Sequence, residues 1–330
     1  MYYLSLAALS LKKFSLNFVF KYDGDGVSYF PKLTSGLNLL SVRNSSSIVT
    51  FNCENCIISE DCVLNWTSLK YLTLKSLFLW DEHIKQIISN FLQLESLELH
   101  QFCGLSRLHM TSPKCRRLQL THHDHPYRDW YSFEGDTCCL EIIAPYVEHL
   151  TICGVLSHTQ IKLWDLFSLN NANFNLYCDE YDEMDVNIEK DLFVSVRCAN
   201  ELVLSSRFIK EISNLTLEEE DVSLPLMECS CLTISSCISK LSFPMLDNLL
   251  RSTNNLENLM IFPNTANVKV MPFCSRTHRS DATELNQFLK FLLEHAINLY
   301  KLYLLAFPTT SISAIISLGS VSHNVLDTDV

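Results

Sequence analysis

Glycine is scarce in this chain, with only 7 copies among 330 residues. Loops that cradle nucleotide phosphates depend on glycine, because their backbone adopts positive φ angles and approaches the phosphate closely. The sequence also lacks a nucleophile, a general base and an orienting residue at the spacing of a recognisable catalytic motif. We therefore expect a protein that is not an enzyme and that holds no cofactor.

Basic residues are outnumbered by acidic ones, 25 against 37, which gives a formal net charge of −12. Binding to nucleic acid requires a clustered basic field that neutralises phosphates, so we expect no nucleic-acid partner. The sequence also lacks a run of about 18 apolar residues, the length that a transmembrane helix needs. We therefore expect no membrane partner either.

A secretory signal is also missing, because the mildly apolar stretch from Met1 to Leu11 has neither a basic start nor a small-residue cleavage site. The chain contains 14 cysteines, which is a low density for a disulfide framework, and they fall inside apolar repeats. We expect reduced thiols and a location in the cytoplasm or the nucleus.

One short frame recurs along most of the sequence: an apolar residue, two variable residues, an apolar residue, one variable residue and an apolar residue. It is clearest in LKYLTL, LESLEL, LSRLHM and CRRLQL, between Leu69 and Leu120. The last two apolar positions of a unit, such as Leu72 and Leu74, are two residues apart, which places both on one face of an extended strand. The residue between them is mostly polar. Each unit therefore predicts a short strand with one buried and one wet face.

The spacing of these strands indicates the fold class. Repeats with this core run about 20 to 29 residues in leucine-rich-repeat proteins, and the strands at Leu72 and Leu97 lie 25 residues apart. The interval contains a predicted helix from Asp81 to Phe91, with Asp81 as its N-cap. The frame therefore predicts an α/β fold, a leucine-rich-repeat solenoid shaped as an irregular horseshoe. Parallel strands line its concave face, and helices and turns form its convex face.

The repeat frame covers residues 1–305, which we interpret as one repeat domain. An inserted loop at residues 122–135 interrupts it. The frame is hardest to follow between residues 155 and 200, where a strand is predicted at Asn173–Cys178. Residues 306–330 are small and polar, and they are predicted to form a C-terminal tail.

Three stretches resemble the repeat region of plant F-box/leucine-rich-repeat proteins: CRRLQL at Cys115–Leu120, LEIIAPYVEHLTICG at Leu140–Gly154 and DLFVSVRCANELVLSS at Asp191–Ser206. The resemblance extends over roughly residues 6–305. Proteins of this family are substrate receptors of cullin–RING (SCF) ubiquitin ligases, in which an N-terminal F-box docks on the ligase adaptor and the repeats hold the target. The resemblance therefore implies a protein-binding module, equivalent to the substrate-recognition half of such a receptor.

The F-box of this family is a helical segment that opens with a Leu-Pro pair ahead of the repeats. No such pair precedes Leu6 in this sequence. We therefore expect binding to the ligase adaptor only if an F-box lies upstream. Two alternatives stay open: a leucine-rich-repeat scaffold unrelated to ubiquitin, and a truncated F-box-less product without ligase function.

The outward residues of adjacent strands are the candidate partner-binding site, because repeat solenoids bind their targets on the concave sheet. Neighbouring strands lie about 4.8 Å apart, so the frame predicts Arg107 and Arg117 side by side, with His109 and His149 nearby. Arginine forks grip carboxylates and phosphates bidentately. We therefore expect a protein target with an acidic or phosphorylated feature on the concave face. The candidate residues are Glu98, His100, Arg107, His109, Arg117, Gln119 and His149.

Two clusters resemble metal ligands, but neither has the pattern of a metal site. Cys53 and Cys56 form a pair without a second pair at zinc spacing, and the repeat frame accounts for both as buried positions. The run His122–His125 cannot converge on one tetrahedral ion, because its residues are consecutive. We interpret the first cluster as core and the second as a solvated loop, and we expect no metal.

Overall fold

A computed structural model of the chain describes residues 12–17, 32–33, 47–54, 57–58, 66–77, 79–102, 104–122, 138–155, 159–177, 186–205, 208, 224–235, 243–262, 290, 301–305 and 313–317. The chain forms two compact units, Met1–Ser195 and Val196–Val330. The helices in these ranges all lack the combination of length and apolar character that a bilayer span requires. The domain boundaries expected from the sequence, 1–305 and 306–330, stay predictions.

The first unit alternates short strands with connections of varying length. Its elements in chain order are β1 (Lys13–Asn17), β2 (Lys32–Leu33), β3 (Thr50–Glu54), β4 (Ile57–Ile58), β5 (Tyr71–Lys75), α1 (Asp81–Asn90), β6 (Ser96–His100), β7 (Arg107–His109), β8 (Arg117–His122), β9 (Cys138–Ile143), β10 (His149–Val155), β11 (Thr159–Trp164), β12 (Asn171–Tyr177) and α2 (Val186–Ser195). The main sheet has the strand order β1-β3-β5-β6-β8-β10-β12, and all of its neighbouring pairs are parallel. The predicted fold class, an α/β leucine-rich-repeat solenoid, is therefore confirmed.

One register holds across this main sheet. The first residues of its strands pair in a single row, which consists of Lys13, Thr50, Tyr71, Ser96, Arg117, His149 and Asn171. Side chains alternate between the two faces of a strand. The two apolar positions of β6, Leu97 and Leu99, are therefore both fully buried, and the residues on either side of them face away from the core.

The same tight turn precedes strands in both units. In each turn the backbone N–H of the fourth residue donates to the carbonyl of the first, and the side chains of both residues are buried. The pairs are Trp66–Leu69 (3.1 Å), Phe91–Leu94 (3.0 Å), Ser112–Cys115 (3.2 Å), Ala144–Val147 (3.3 Å), Leu166–Leu169 (3.2 Å), Val196–Ala199 (2.9 Å) and Thr253–Leu256 (3.1 Å). The hydrogen bond pairs a backbone N–H group that would otherwise be buried without an acceptor. It also directs each strand into the sheet in the same way.

The first unit contains two smaller sheets as well: a parallel pair formed by β2 and β4, and a three-stranded sheet, here called the second sheet. Strands β7, β9 and β11 pair in parallel in the order β11-β9-β7, while α1 contacts β7 and α2 contacts β11. The predicted strand around Leu108 is therefore confirmed as β7. Its predicted place beside the strand of Leu118 is wrong, because the connection from His100 to Arg107 is too short for a parallel crossover, which needs a dozen or more residues. The second layer thus contains strands as well as the predicted helices and turns.

The region between residues 155 and 200 contains β11, β12 and α2. Strand β12, Asn171–Tyr177, confirms the strand predicted at Asn173–Cys178. The inserted loop predicted at residues 122–135 lies outside the described residues, apart from His122, which ends β8.

Helix α1 begins where the sequence predicted, but its N-terminus is organised differently. The N-cap residue is Trp80, and its side chain makes no capping hydrogen bond. The predicted N-cap role of Asp81 is therefore wrong. Ile84 and Ile88 are buried, as the four-residue spacing of a helix face predicts.

The second unit follows the same plan. Its elements are β13 (Glu201–Ser205), β14 (Cys231–Ser235), α3 (Phe243–Ser252), β15 (Asn258–Phe262), β16 (Lys301–Leu305) and β17 (Ser313–Ser317). The strands pair in this order, in parallel as far as β16, and β17 is antiparallel to β16. Strand β17 lies within residues 306–330. Helix α3 buries Leu249 and Leu250, and Pro244 lies in its first turn, where a proline is tolerated.

Candidate functional site

The candidate site lies on the face of the main sheet that points away from the core, here called the open face. Strands β6, β8 and β10 present on it the alternate residues Ser96, Glu98, His100, Arg117, Gln119, Thr121, His149, Thr151 and Cys153. Because the strands share one register, these side chains form three regular rows. The open face therefore brings together five of the predicted site residues, which are Glu98, His100, Arg117, Gln119 and His149.

Arg117 and His149 are direct neighbours on this face. They are register partners on β8 and β10, at the spacing of about 4.8 Å between adjacent strands. Arg117 is exposed and His149 is half-buried. Neither side chain forms a hydrogen bond or an ion pair with another residue in the described ranges. Within the described part of the chain, the guanidinium of Arg117 therefore faces no acid that pairs with it.

The acidic groups of the open face are engaged by other neighbours. The hydroxyl of Thr73 donates to Oε2 of Glu98 at 3.2 Å, and Nε2 of His100 lies 3.6 Å from the same oxygen. Farther along the sheet, Nζ of Lys75 lies 2.9 Å from Oε1 of Glu54. Since these carboxylates already have partners, the charge beside Gln119 and His149 that has no partner among the described residues is the positive charge of Arg117.

Arg107 and His109 do not belong to the open face. They lie on β7 in the second sheet, where Arg107 donates from Nε (3.1 Å) and Nη2 (2.9 Å) to Oε2 of Glu141. The prediction that Arg107 and Arg117 lie side by side is therefore wrong. His109 pairs in register with Ile143 of β9, so it is not a neighbour of His149.

A ladder of paired charges borders the open face just ahead of the strands. Nζ of Lys70 lies 2.5 Å from Oε1 of Glu95, and Nη1 of Arg116 lies 2.6 Å from Oε1 of Glu148. The hydrogen bond from Lys70 lowers the pKa of Glu95. Sequence reasoning missed this ladder, although its members share one position, the residue immediately before each strand, where opposite charges alternate from repeat to repeat.

The carboxylate of Asp81 connects two repeats. It accepts hydrogen bonds from the backbone N–H groups of Ser106 (2.8 Å) and Arg107 (2.9 Å) and from the hydroxyl of Ser106 (2.5 Å). Partial burial raises the pKa of Asp81, but these hydrogen bonds outweigh it, and the pKa lies below the usual 3.8. Asp81 therefore holds the start of β7 against the start of α1.

Three of the described cysteines, Cys53, Cys115 and Cys229, are buried in the core. Burial raises the pKa of the Cys115 and Cys229 thiols to about 12, so both are protonated and unreactive at neutral pH. Cys53 is 1% exposed, which confirms its assignment to the core, whereas Cys56 and residues 123–125 lie outside the described residues. Within those residues, no group of three or more His, Cys, Asp or Glu side chains is arranged to hold a metal ion.

The repeated turn, the single register and the polar open face together define a leucine-rich-repeat module. Curated proteins of Arabidopsis thaliana match this chain. F-box/LRR-repeat protein At5g02910 is 30% identical over 208 residues, which are 61% of this chain and 42% of that protein. Putative F-box/LRR-repeat protein At5g02930 is 25% identical over 238 residues, 68% and 48% of the two chains. F-box/LRR-repeat protein At3g03360 is 27% identical over 225 residues, 64% and 43% of the two chains.

These matches relate the chain to the plant F-box/LRR-repeat proteins, as its sequence resemblance predicted. The chain spans about half the length of the curated relatives it matches. No protein-family model and no solved structure matches it.

Proposed function

We propose that this chain is a non-enzymatic protein-binding module and that the open face of its main sheet holds the target. The observation that carries the proposal is the pair formed by Arg117 and His149. Both residues stand on a polar sheet face without a bonded acid among the described residues. A cation in this position is open to a ligand, whereas the cations Lys70, Lys75 and Arg116 are already paired.

The chemistry of this pair favours a target with an acidic or phosphorylated group. The guanidinium of Arg117 offers a planar fork of donors that matches a carboxylate or a phosphate, and the imidazole of His149 adds a donor beside it. Gln119 and Glu98 occupy the next row of the same face. They supply an amide and an acceptor that would orient the rest of the target.

The relation to F-box/LRR-repeat proteins supports a more specific role. In this role the chain is the substrate-recognition half of an F-box receptor of a cullin–RING (SCF) ubiquitin ligase, in the cytoplasm or the nucleus. Adaptor binding would come from an F-box in the same polypeptide. The names of the relatives support this role. The alternatives are a repeat scaffold unrelated to ubiquitin and an F-box-less product without ligase function.

The test of the open face compares three forms of the chain: wild type, Arg117→Glu and Lys85→Glu. Each is used for quantitative affinity purification from plant cells, followed by mass spectrometry. Lys85 is the control, because it is an exposed cation on helix α1 of the same unit, away from the open face. We expect partners that are recovered equally with wild type and Lys85→Glu and about tenfold less with Arg117→Glu. Equal recovery with all three forms would refute the proposal.

The ubiquitin role has a separate test. The chain is expressed alone and joined to the F-box segment that its gene encodes upstream, where there is one. Recovery of the ligase adaptor and the cullin only with the longer polypeptide would support the receptor role. If the Arg117-dependent partners appear without the ligase subunits in both cases, the scaffold alternative replaces it.

A further inference from the structure

The second sheet of the first unit carries an apolar patch that the open face does not explain. Trp164 ends β11 and is 52% exposed, and its register partner on β9 is Ile143. Tyr146 and Phe167 lie in the turns that follow these two strands and are 41% and 81% exposed. Because β9 and β11 are parallel neighbours, the four residues lie at the same end of the sheet. We call Ile143, Tyr146, Trp164 and Phe167 the exit patch.

A row of charged residues lies beside the exit patch, two residues earlier along the strands. It consists of Arg107, Glu141 and Lys162, one from each strand of the second sheet. Glu141 is bound by Arg107, whereas Lys162 forms no ion pair with a described residue. This row therefore has one positive charge in excess. On the other side of the apolar row, the exposed residue Asp165 follows Trp164.

The size of the patch indicates what kind of partner it fits. An aromatic side chain has about 200 Å² of surface, so the exposed fractions of Tyr146, Trp164 and Phe167 correspond to about 350 Å². Apolar patches of roughly 300–600 Å² on monomers are often functional. A stable dimer buries about 800 Å² per partner, more than this patch supplies. The area fits a short segment better than a second copy of the chain.

We propose that the exit patch and Lys162 dock a short extended segment of a partner protein. The segment carries an apolar side chain that packs on Trp164 and Phe167 and, two residues away, a carboxylate that pairs with Lys162. The two-residue spacing follows from the rows of the sheet, because an extended segment advances about 3.3 Å per residue, as the strands do. Asp165 lies on the other side of the apolar row and would repel a carboxylate placed there. It therefore fixes the direction in which the segment binds.

The test is a peptide-display selection on the full-length chain. We expect enriched peptides with an aromatic or aliphatic residue two positions from Asp or Glu. The strongest selected peptide is then measured by fluorescence polarisation. Trp164→Ser should weaken binding at least tenfold, and Lys162→Glu about fivefold or more. Trp164→Phe, which keeps an aromatic ring, should stay within about threefold of wild type. Thermal unfolding of each variant checks that the fold is intact.

Two controls separate this site from other surfaces. Lys85→Glu changes an exposed lysine of α1 (71% exposed), and Arg117→Glu changes the open face; neither should alter the affinity. The proposal is overturned if no peptide is enriched, if the enriched peptides bind Trp164→Ser as tightly as wild type, or if they carry Lys or Arg in place of the acid. Trp164-dependent dimerisation in light scattering would also overturn it, in favour of a second copy.

Discussion

The contact between Asp81 and β7 predicts a local and pH-dependent loss of stability when the carboxylate is changed. Hydrogen bonds to a charged group contribute about 1.5–3 kcal/mol each at most sites. Ser106 and Arg107 are exposed, so water replaces much of what is lost. We therefore expect Asp81→Ala to destabilise the junction of α1 and β7 by about 2 kcal/mol and Asp81→Asn by about 1 kcal/mol, because an amide oxygen still accepts one bond.

The sign of the pH dependence follows from the direction of the pKa shift. Burial raises the pKa of Asp81, but the hydrogen bonds from Ser106 and Arg107 lower it by more. The pKa in the folded protein therefore lies below 3.8. A carboxyl whose pKa is depressed by folding stabilises the protein above its unfolded pKa, and this stabilisation is lost as pH falls through the folded value. The difference between wild type and Asp81→Asn should therefore be constant from pH 7 to about 5 and shrink below about 4.

The assay is amide hydrogen exchange at Ser106 and Arg107, because exchange reports local opening without assuming that the two units unfold together. Protection should fall about thirtyfold in Asp81→Ala and about fivefold in Asp81→Asn at pH 7. Glu82→Gln is the matched control, since Glu82 is 85% exposed and lies 3.9 Å from Lys85. Unchanged protection in Asp81→Ala, or an equal loss in Glu82→Gln, would refute the reasoning.

Two further predictions concern buried positions. The hydroxyl of Ser112 is buried and has no hydrogen-bond partner in the described structure. Ser112→Ala should therefore leave the free energy of unfolding, measured in urea, unchanged or raise it by up to about 1 kcal/mol. A decrease of that size would contradict this prediction. Cys115 and Cys229 have thiols with a pKa of about 12, so iodoacetamide at pH 8 should label them only after unfolding. Mass spectrometry of the labelled peptides checks this, and rapid labelling of the native protein would contradict it.

The strands of the main sheet were predictable because the sequence pattern that forms each of them lies within a few consecutive residues. A strand needs only a period of two and a buried face, and the frame supplies both in β5, β6 and β8. The prediction that His149 lies near Arg117 followed in the same way, since neighbouring strands of the main sheet share a register. Helix α1 was equally predictable from the spacing of its apolar residues.

The frame did not predict that β7 lies in the second sheet, because strands of the main sheet and of the second sheet carry the same apolar pattern. The usable signal was the spacing. The anchors Leu97 and Leu108 lie only 11 residues apart, which is below the shortest leucine-rich repeat of about 20 residues. A strand that follows so closely cannot return to the same parallel sheet. Arg107 and His109 therefore lie outside the predicted site, because both belong to β7.

The role of Asp81 was missed for a different reason. A carboxylate at the start of a helix predicts a cap within its own helix, and local sequence shows no other partner. In the structure its partners are Ser106 and Arg107, 25 and 26 residues away. A contact between repeats such as this one depends on how α1 and β7 pack against each other. The apolar frame of a single repeat carries no information about that packing.

The common register of the main sheet has a consequence for how such a protein changes over evolutionary time. Thr50 and Tyr71 begin adjacent strands 21 residues apart, whereas Arg117 and His149 begin adjacent strands 32 residues apart, and both pairs belong to one row. Insertions and deletions are therefore absorbed in the connections and leave the row intact. The side chains of the open face can then change by single substitutions at fixed positions, while the connections between the strands vary in length independently.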